Sequence, residues 1–119
     1  MEHTQGFLAI VEDAKRRVKE MTVAEYAAQK EQCVLIDVRE ESEWKAGRAA
    51  GAIHLGKGII ERDIETRIPE RDARLVLYCG GGYRSALAAD TVQRMGYTNV
   101  WSLAGGWRAW KAAELPIES

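Results

Sequence analysis

Leu75-Val76-Leu77-Tyr78-Cys79-Gly80-Gly81-Gly82-Tyr83-Arg84-Ser85 contains a strand, a turn and a helix start in direct succession. The apolar, β-favouring run Leu75 to Tyr78 predicts a short strand. Beyond the glycines, Ala86, Leu87, Ala89, Val92 and Met95 recur at helical spacing, which predicts a helix over Ser85 to Met95. A helix start offers unpaired N–H groups and a partial positive charge. Three consecutive glycines let the backbone curl such groups inward without side-chain clashes. The loop therefore suits an anion at Cys79.

The same alternation extends in both directions. Phe7 to Met21 carries apolar residues at 7, 10, 11, 14, 18 and 21, one face of an amphipathic helix. Thr22 and Glu25 fit a capping box that starts a helix at Val23 to Gln29. Cys33-Val34-Leu35-Ile36-Asp37-Val38 reads as a strand covered on both faces. Glu41 to Ala46 reads as a short helix closed by Gly47, Ala52 to Leu55 as a strand, and Ile59 to Ile68 as a helix stopped by Pro69. Asn99 to Leu103 predicts a further strand, and Gly105-Gly106 introduces a last helix, Trp107 to Glu114. Strands separated by helices imply an α/β fold with a parallel sheet and helices on both faces. Ligands of such sheets bind beyond the carboxyl ends of the strands. Cys79, Asp37, Arg39 and the Ala104-Gly105-Gly106 turn all fall there.

Composition narrows the function classes. The chain of 119 residues fits one domain, and a formal charge of -1 offers no field for nucleic acid or an anionic membrane. Hydrophobic residues at 46% and charged residues at 29% are ordinary for a soluble globular protein. Lys15-Arg16-Arg17 sits among Glu12, Asp13 and Glu20 and reads as a solvated helix face. Met1-Glu2-His3-Thr4 shows no secretory signal, and no apolar run approaches the ~20 residues of a membrane helix. Two cysteines, Cys33 and Cys79, are too few for a disulfide scaffold, so a cytoplasmic location is expected. With His3 and His54 they show no paired metal-ligand spacing, and no cofactor or metal is expected.

A cysteine that ends a strand is often only a small buried hydrophobe. Three glycines and a helix start directly behind Cys79 argue for chemistry instead. No Gly-Lys-Ser/Thr follows the glycines, which excludes a nucleotide P-loop, and no Cys-x-x-Cys is present. Arg84 is either a surface residue or a cation facing an anion in the loop, and its place at the junction favours the second. Asp37 and Arg39 either form a structural ion pair or line the pocket; a supporting role is expected. His54, between Ile53 and Leu55, reads as packed, and Cys33 as inert core.

Cys79 to Ser85, with Leu35-Ile36-Asp37-Val38-Arg39-Glu40, Glu43-Trp44, Gly51-Ala52-Ile53-His54 and Leu103-Ala104-Gly105-Gly106-Trp107, resembles a single-domain rhodanese of the thiosulfate sulfurtransferase-like family. The resemblance spans roughly Thr22 to Pro116. It implies a three-layer α/β/α domain, assigned to 22–119; the amphipathic segment before it goes beyond the family's minimal domain and is read as an N-terminal helical extension at 1–21. It also implies that Cys79 carries a persulfide and that Gly80, Gly81, Gly82, Tyr83, Arg84 and Ser85 cradle it. The expected activity moves sulfane sulfur from thiosulfate or a related persulfide donor to cyanide or a thiol, with protein donors or acceptors possible. One departure stands out: Gly47-Arg48-Ala49-Ala50-Gly51-Ala52 replaces the usual Gly-His-Ile-Pro-Gly-Ala. Altered local rigidity is the expected consequence.

A free thiol with a pKa of roughly 8.5 is only about 3% thiolate at pH 7, so sulfur transfer needs a stabilising cradle. Cysteine phosphatases and arsenate reductases also use one, but with five residues between cysteine and arginine. Four separate Cys79 from Arg84, and the tighter loop suits a single sulfur. A non-catalytic rhodanese-like binding module is the third reading.

Overall fold

The computed structural model describes residues 3–119. A central sheet of five parallel strands runs in the order β1 (Lys19–Met21), β6 (Val100–Leu103), β5 (Arg74–Tyr78), β2 (Cys33–Asp37), β4 (Ile53–His54). A small antiparallel ribbon pairs β3 (Arg48–Ala49) with β7 (Ile117–Glu118). The helices are α1 (Gln5–Lys15), α2 (Val23–Gln29), α3 (Glu41–Ala46), α4 (Ile60–Arg67), α5 (Tyr83–Arg94) and α6 (Gly106–Ala112). Among the described residues no helix is long and apolar enough to cross a membrane.

Strand alternation divides the core into two layers. Leu75, Leu77 and Cys79 face Ile60 and Ile64 of α4 and Ala88, Ala89 and Val92 of α5. Val76 and Tyr78 face the opposite way, toward Tyr26 of α2 and Trp110 of α6. The expected three-layer α/β/α architecture is thus present, with Leu35 to Asp37 of β2 and Leu75 to Tyr78 of β5 buried.

The predicted helix over Phe7 to Met21 ends earlier, at Lys15, and its last residues become the edge strand β1. Lys19, Glu20 and Met21 pair with Trp101, Ser102 and Leu103. Val18 and Met21 are buried as expected, but Ile10 is 55% exposed. The sheet edge offers β1 backbone partners that a longer helix would leave vacant, and three residues are too few to show a period. Thr22 and Glu25 form both bonds of the expected capping box, at 3.1 and 2.8 Å. Met1 and Glu2, which belong to the expected extension, lie outside the described residues.

The strands β3 and β7 escaped the sequence reading because each has two residues. They explain how the Arg48-Ala49-Ala50 departure is accommodated. The Ala50 N–H, which a proline would lack, donates to the Pro116 carbonyl at 3.0 Å. Arg48 lies over the Trp44 ring at 4.7 Å and 3.7 Å from Glu118.

Beneath this ribbon a buried polar cluster fastens the strand ends. The Arg39 guanidinium donates to both Asp37 oxygens, at 2.8 to 3.1 Å, and to the Gly47 carbonyl at 2.7 Å. The Tyr78 hydroxyl donates to Asp37 Oδ2 at 2.6 Å and accepts from the Ala49 N–H at 3.1 Å. Burial, reinforced by the Asp37 bond, raises the Tyr78 phenol above its ordinary value. Asp37 and Arg39 are 0% and 3% exposed, so removal of one partner strands a charge. Asp37→Ala should therefore cost about 3 kcal/mol or more in urea unfolding; a loss below about 1 kcal/mol would remove this cluster from the account of stability.

Candidate active site

Strand β5 delivers Cys79 to the α5 face at its carboxyl end, where the side chain is 1% exposed. Gly82 precedes α5 with φ +97°, a conformation that L side chains rarely adopt. That turn aims its N–H at Cys79 Sγ, 3.1 Å away, and the Ser85 N–H adds a second donor at 3.3 Å. The Cys79 thiol lies 3.5 Å from Ser85 Oγ, which shares a 2.8 Å hydrogen bond with Ser102 Oγ. Both serines are buried and polar, and each satisfies the other. The sulfur thus sits at the start of a twelve-residue helix, within reach of its field.

A second glycine turn holds this loop from outside. The Trp107 and Arg108 N–H groups, at the start of α6, donate to the carbonyls of Cys79 and Gly80 at 2.7 and 3.2 Å. Gly106 adopts φ +50°, and a Cβ there would stand 2.3 Å from the Cys79 carbonyl oxygen. Only a bare backbone fits at this crossing.

Arg84 emerges over Gly80, and its guanidinium takes up the Glu43 carboxylate through bonds of 2.8 and 3.2 Å. Glu43 also accepts from the Glu40 N–H at 3.0 Å, part of the capping box of α3. The Arg84 hydrogen bond holds the Glu43 carboxyl below its ordinary value, against its partial burial. The same bond raises Arg84.

A cavity of about 420 Å³ opens over this arrangement. Cys79, Gly80 and Gly81 line it together with Tyr83 and the Glu43–Arg84 pair, and His3, Phe7 and Arg108 complete it. Of the expected loop residues, Gly82 and Ser85 contact the sulfur, while Cys79, Gly80, Gly81, Tyr83 and Arg84 line the cavity. Asp37 and Arg39 are not at this cavity: alternation sends Asp37 to the Tyr78 face, where the pair fastens strand ends. His54 stacks on Trp44 at 4.9 Å with a hydrogen bond to the Arg39 carbonyl. Cys33 is half-buried, and burial pushes its thiol up. Among the described residues no cluster could hold a metal ion.

Glu43, Ser102, Gly106, Arg108, His3 and Phe7 are site residues that sequence reasoning did not assign. Ser102 carried a signal, a polar residue inside a strand otherwise built for the core. His3 and Phe7 carried none, because only tertiary packing brings α1 over the loop.

Comparison with known proteins places this geometry in a family. The rhodanese-like domain model matches residues 22–113. The thiosulfate sulfurtransferase GlpE of Actinobacillus succinogenes is 34% identical over 91 residues, 76% of this chain and 80% of that protein. YqhL of Bacillus subtilis is 34% identical over 97 residues, 81% of this chain and 75% of that protein. A Rhodopseudomonas palustris structure, described as a possible tyrosine phosphatase, superposes with TM-score 0.87 at 32% identity, covering 99% of this chain and 98% of that one.

Two outcomes follow from the geometry. Gly106→Ala should lower stability by about 2 kcal/mol or more, since both the positive φ and the Cys79 carbonyl resist a Cβ; a wild-type urea midpoint would contradict the tight crossing. The folded Glu43 carboxyl titrates below its unfolded value, so the ion pair contributes fully above about pH 4.3 and is lost as pH falls through the depressed value. Carbon-detected NMR titration should show the Glu43 midpoint rising to the ordinary range in Arg84→Ala, and an unmoved midpoint would contradict that assignment.

Proposed function

The chain belongs to the rhodanese-like domain family, and from that premise we propose that it is a sulfurtransferase working through a Cys79 persulfide. Relatives named thiosulfate sulfurtransferase support the activity class. The observation that carries the finer reading is the pair of N–H donors on Cys79 Sγ at a helix start, inside a loop with four residues between Cys79 and Arg84.

In the first step the Cys79 thiolate attacks the outer sulfur of thiosulfate. The Sγ–S bond forms, the S–S bond of thiosulfate breaks, and its electron pair departs on sulfite. Cys79 is left as Cys79–S–S⁻, whose negative charge moves one bond further into the loop. The Gly82 and Ser85 N–H groups and the α5 terminus stabilise that charge without reorganising. In the second step cyanide or a thiolate attacks the outer sulfur, takes it, and returns the Cys79 thiolate. Ser85 and Ser102 keep the sulfur's polar surroundings satisfied, while Asp37 and Arg39 support the loop indirectly through Tyr78, the residue before Cys79. Residues 1–21 act as an extension on the catalytic domain at 22–119. No cofactor or metal takes part, and a cytoplasmic setting suits a free thiolate.

A phosphatase reading is favoured by the description attached to the Rhodopseudomonas palustris structure. Arg84 argues against it, because its guanidinium is engaged by Glu43 rather than open to a phosphoryl group. Cys79→Ser should reduce thiocyanate formation from thiosulfate and cyanide by at least about 10³-fold, as expected for loss of a covalent nucleophile. Wild-type turnover in Cys79→Ser would exclude the persulfide cycle, and Cys79-dependent hydrolysis of an aryl phosphate without sulfur transfer would favour the phosphatase.

A further inference from the structure

We propose that Ser102 is a positioning residue for the nucleophile: its hydroxyl donates to Ser85 Oγ and so turns the Ser85 proton onto the Cys79 sulfur whenever that sulfur has lost its own. The role rests on the sulfurtransferase reading of Cys79 and deepens it.

The place of Ser102 in the fold raises the question of its use. It lies in β6, between β1 and β5, opposite Leu77, and is 0% exposed. Val100, two residues earlier on the same face, packs with Leu77, Ala88 and Ala89 in the apolar layer under α5. A hydroxyl buried there loses its water and must find a partner. Among the described residues it makes one hydrogen bond, with Ser85 Oγ at 2.8 Å, and Ser85 Oγ lies 3.5 Å from Cys79 Sγ. A chain of polar atoms therefore runs from the middle of the sheet to the sulfur.

Proton counting gives that chain a direction. Each hydroxyl has one hydrogen to donate and two lone pairs to accept with. While Cys79 is a thiol, three hydrogens share the two contacts of the chain, and one is left without an acceptor among buried residues. Loss of the thiol proton leaves two hydrogens for two contacts. Ser102 then donates to Ser85, Ser85 donates to the sulfur, and both dipoles point at the anion. In the persulfide Sγ again carries no hydrogen, so neither hydroxyl has to rotate during turnover.

Ser102 matters because of what Ser85 would do without it. Ser85 is the third residue of α5, and a serine in a helix readily bonds the carbonyls of the preceding turn instead. The bond from Ser102 holds Ser85 Oγ on the sulfur side and polarises its O–H, which strengthens the second link of the chain. The titratable groups that line the cavity over Cys79 are Arg84 and Tyr83 from α5, Glu43 from α3, Arg108 from α6 and His3 from the segment before α1. None of them is altered by a change at Ser102.

Ultraviolet titration of the thiolate in the full chain tests this without requiring any sulfur transfer. Read as the difference from the same protein carrying Cys79→Ala, the signal excludes Cys33 and the tyrosines. Ser102→Ala should raise the Cys79 midpoint by about 0.5 pH unit or more, a threefold loss of thiolate on the rising limb, while the urea midpoint stays near wild type. Ser85→Ala should raise it at least as far. The double variant should go no further than Ser85→Ala, because Ser102 acts only through Ser85. A smaller rise in Ser102→Ala, or a double variant whose rise is the sum of the two, would overturn the inference. The expected shifts in a protein that makes no thiocyanate from thiosulfate would keep Ser102 in this role and overturn the sulfurtransferase reading instead.

Discussion

The backbone of Gly106 crosses the Cys79 carbonyl so closely that no side chain fits between them. This contact joins two turns that are far apart in sequence. The first N–H groups of α6 need acceptors, and the Cys79 and Gly80 carbonyls supply them. With its carbonyls turned outward to α6, the loop is left with N–H groups facing the sulfur. Different peptide units of one short loop thus serve two helices: α6 binds the oxygens of Cys79 and Gly80, while the N–H groups of Gly82 and Ser85, at the start of α5, face the thiol.

Strand alternation keeps scaffold and chemistry on opposite sides of the sheet. Tyr78 and Asp37 point into the layer with Arg39 and close a polar cluster there. Cys79 and Ser102 point into the layer with α5, where the second serine, Ser85, completes the setting of the sulfur. A strained or charged group can therefore be held at one side without crowding the nucleophile at the other. Such a division suits an anion that must gain and lose a sulfur atom while its surroundings stay fixed.

Most of this was legible in the sequence where an element was long enough to show its period or carried a marked end. The capping box of Thr22 and Glu25 placed α2 within its observed bounds, and the apolar runs of β2 and β5 located the covered strands. The Cys79 loop was legible because three glycines beside a helix start have few other uses. What stayed hidden was set by tertiary contact. Val18 and Met21 are spaced as in a helix, yet the vacant edge of β6 draws their segment into a strand. Arg84 sits at the loop-helix junction as expected, but its partner on α3 is distant in sequence. Phe7 reads as one more apolar helix position until α1 is seen to pack along α5, with its ring beside Tyr83.

The site that results is a sulfur in a ring of backbone donors, under a cavity whose nearest ion pair is already satisfied. In the proposed cycle Cys79 holds a transferable sulfur. Intact-mass and peptide mass spectrometry of the protein after thiosulfate treatment detects that sulfur. The expected result is a gain of one sulfur atom, localised to Cys79 and removed by cyanide. No sulfur adduct, or one carried on Cys33 instead, would contradict it.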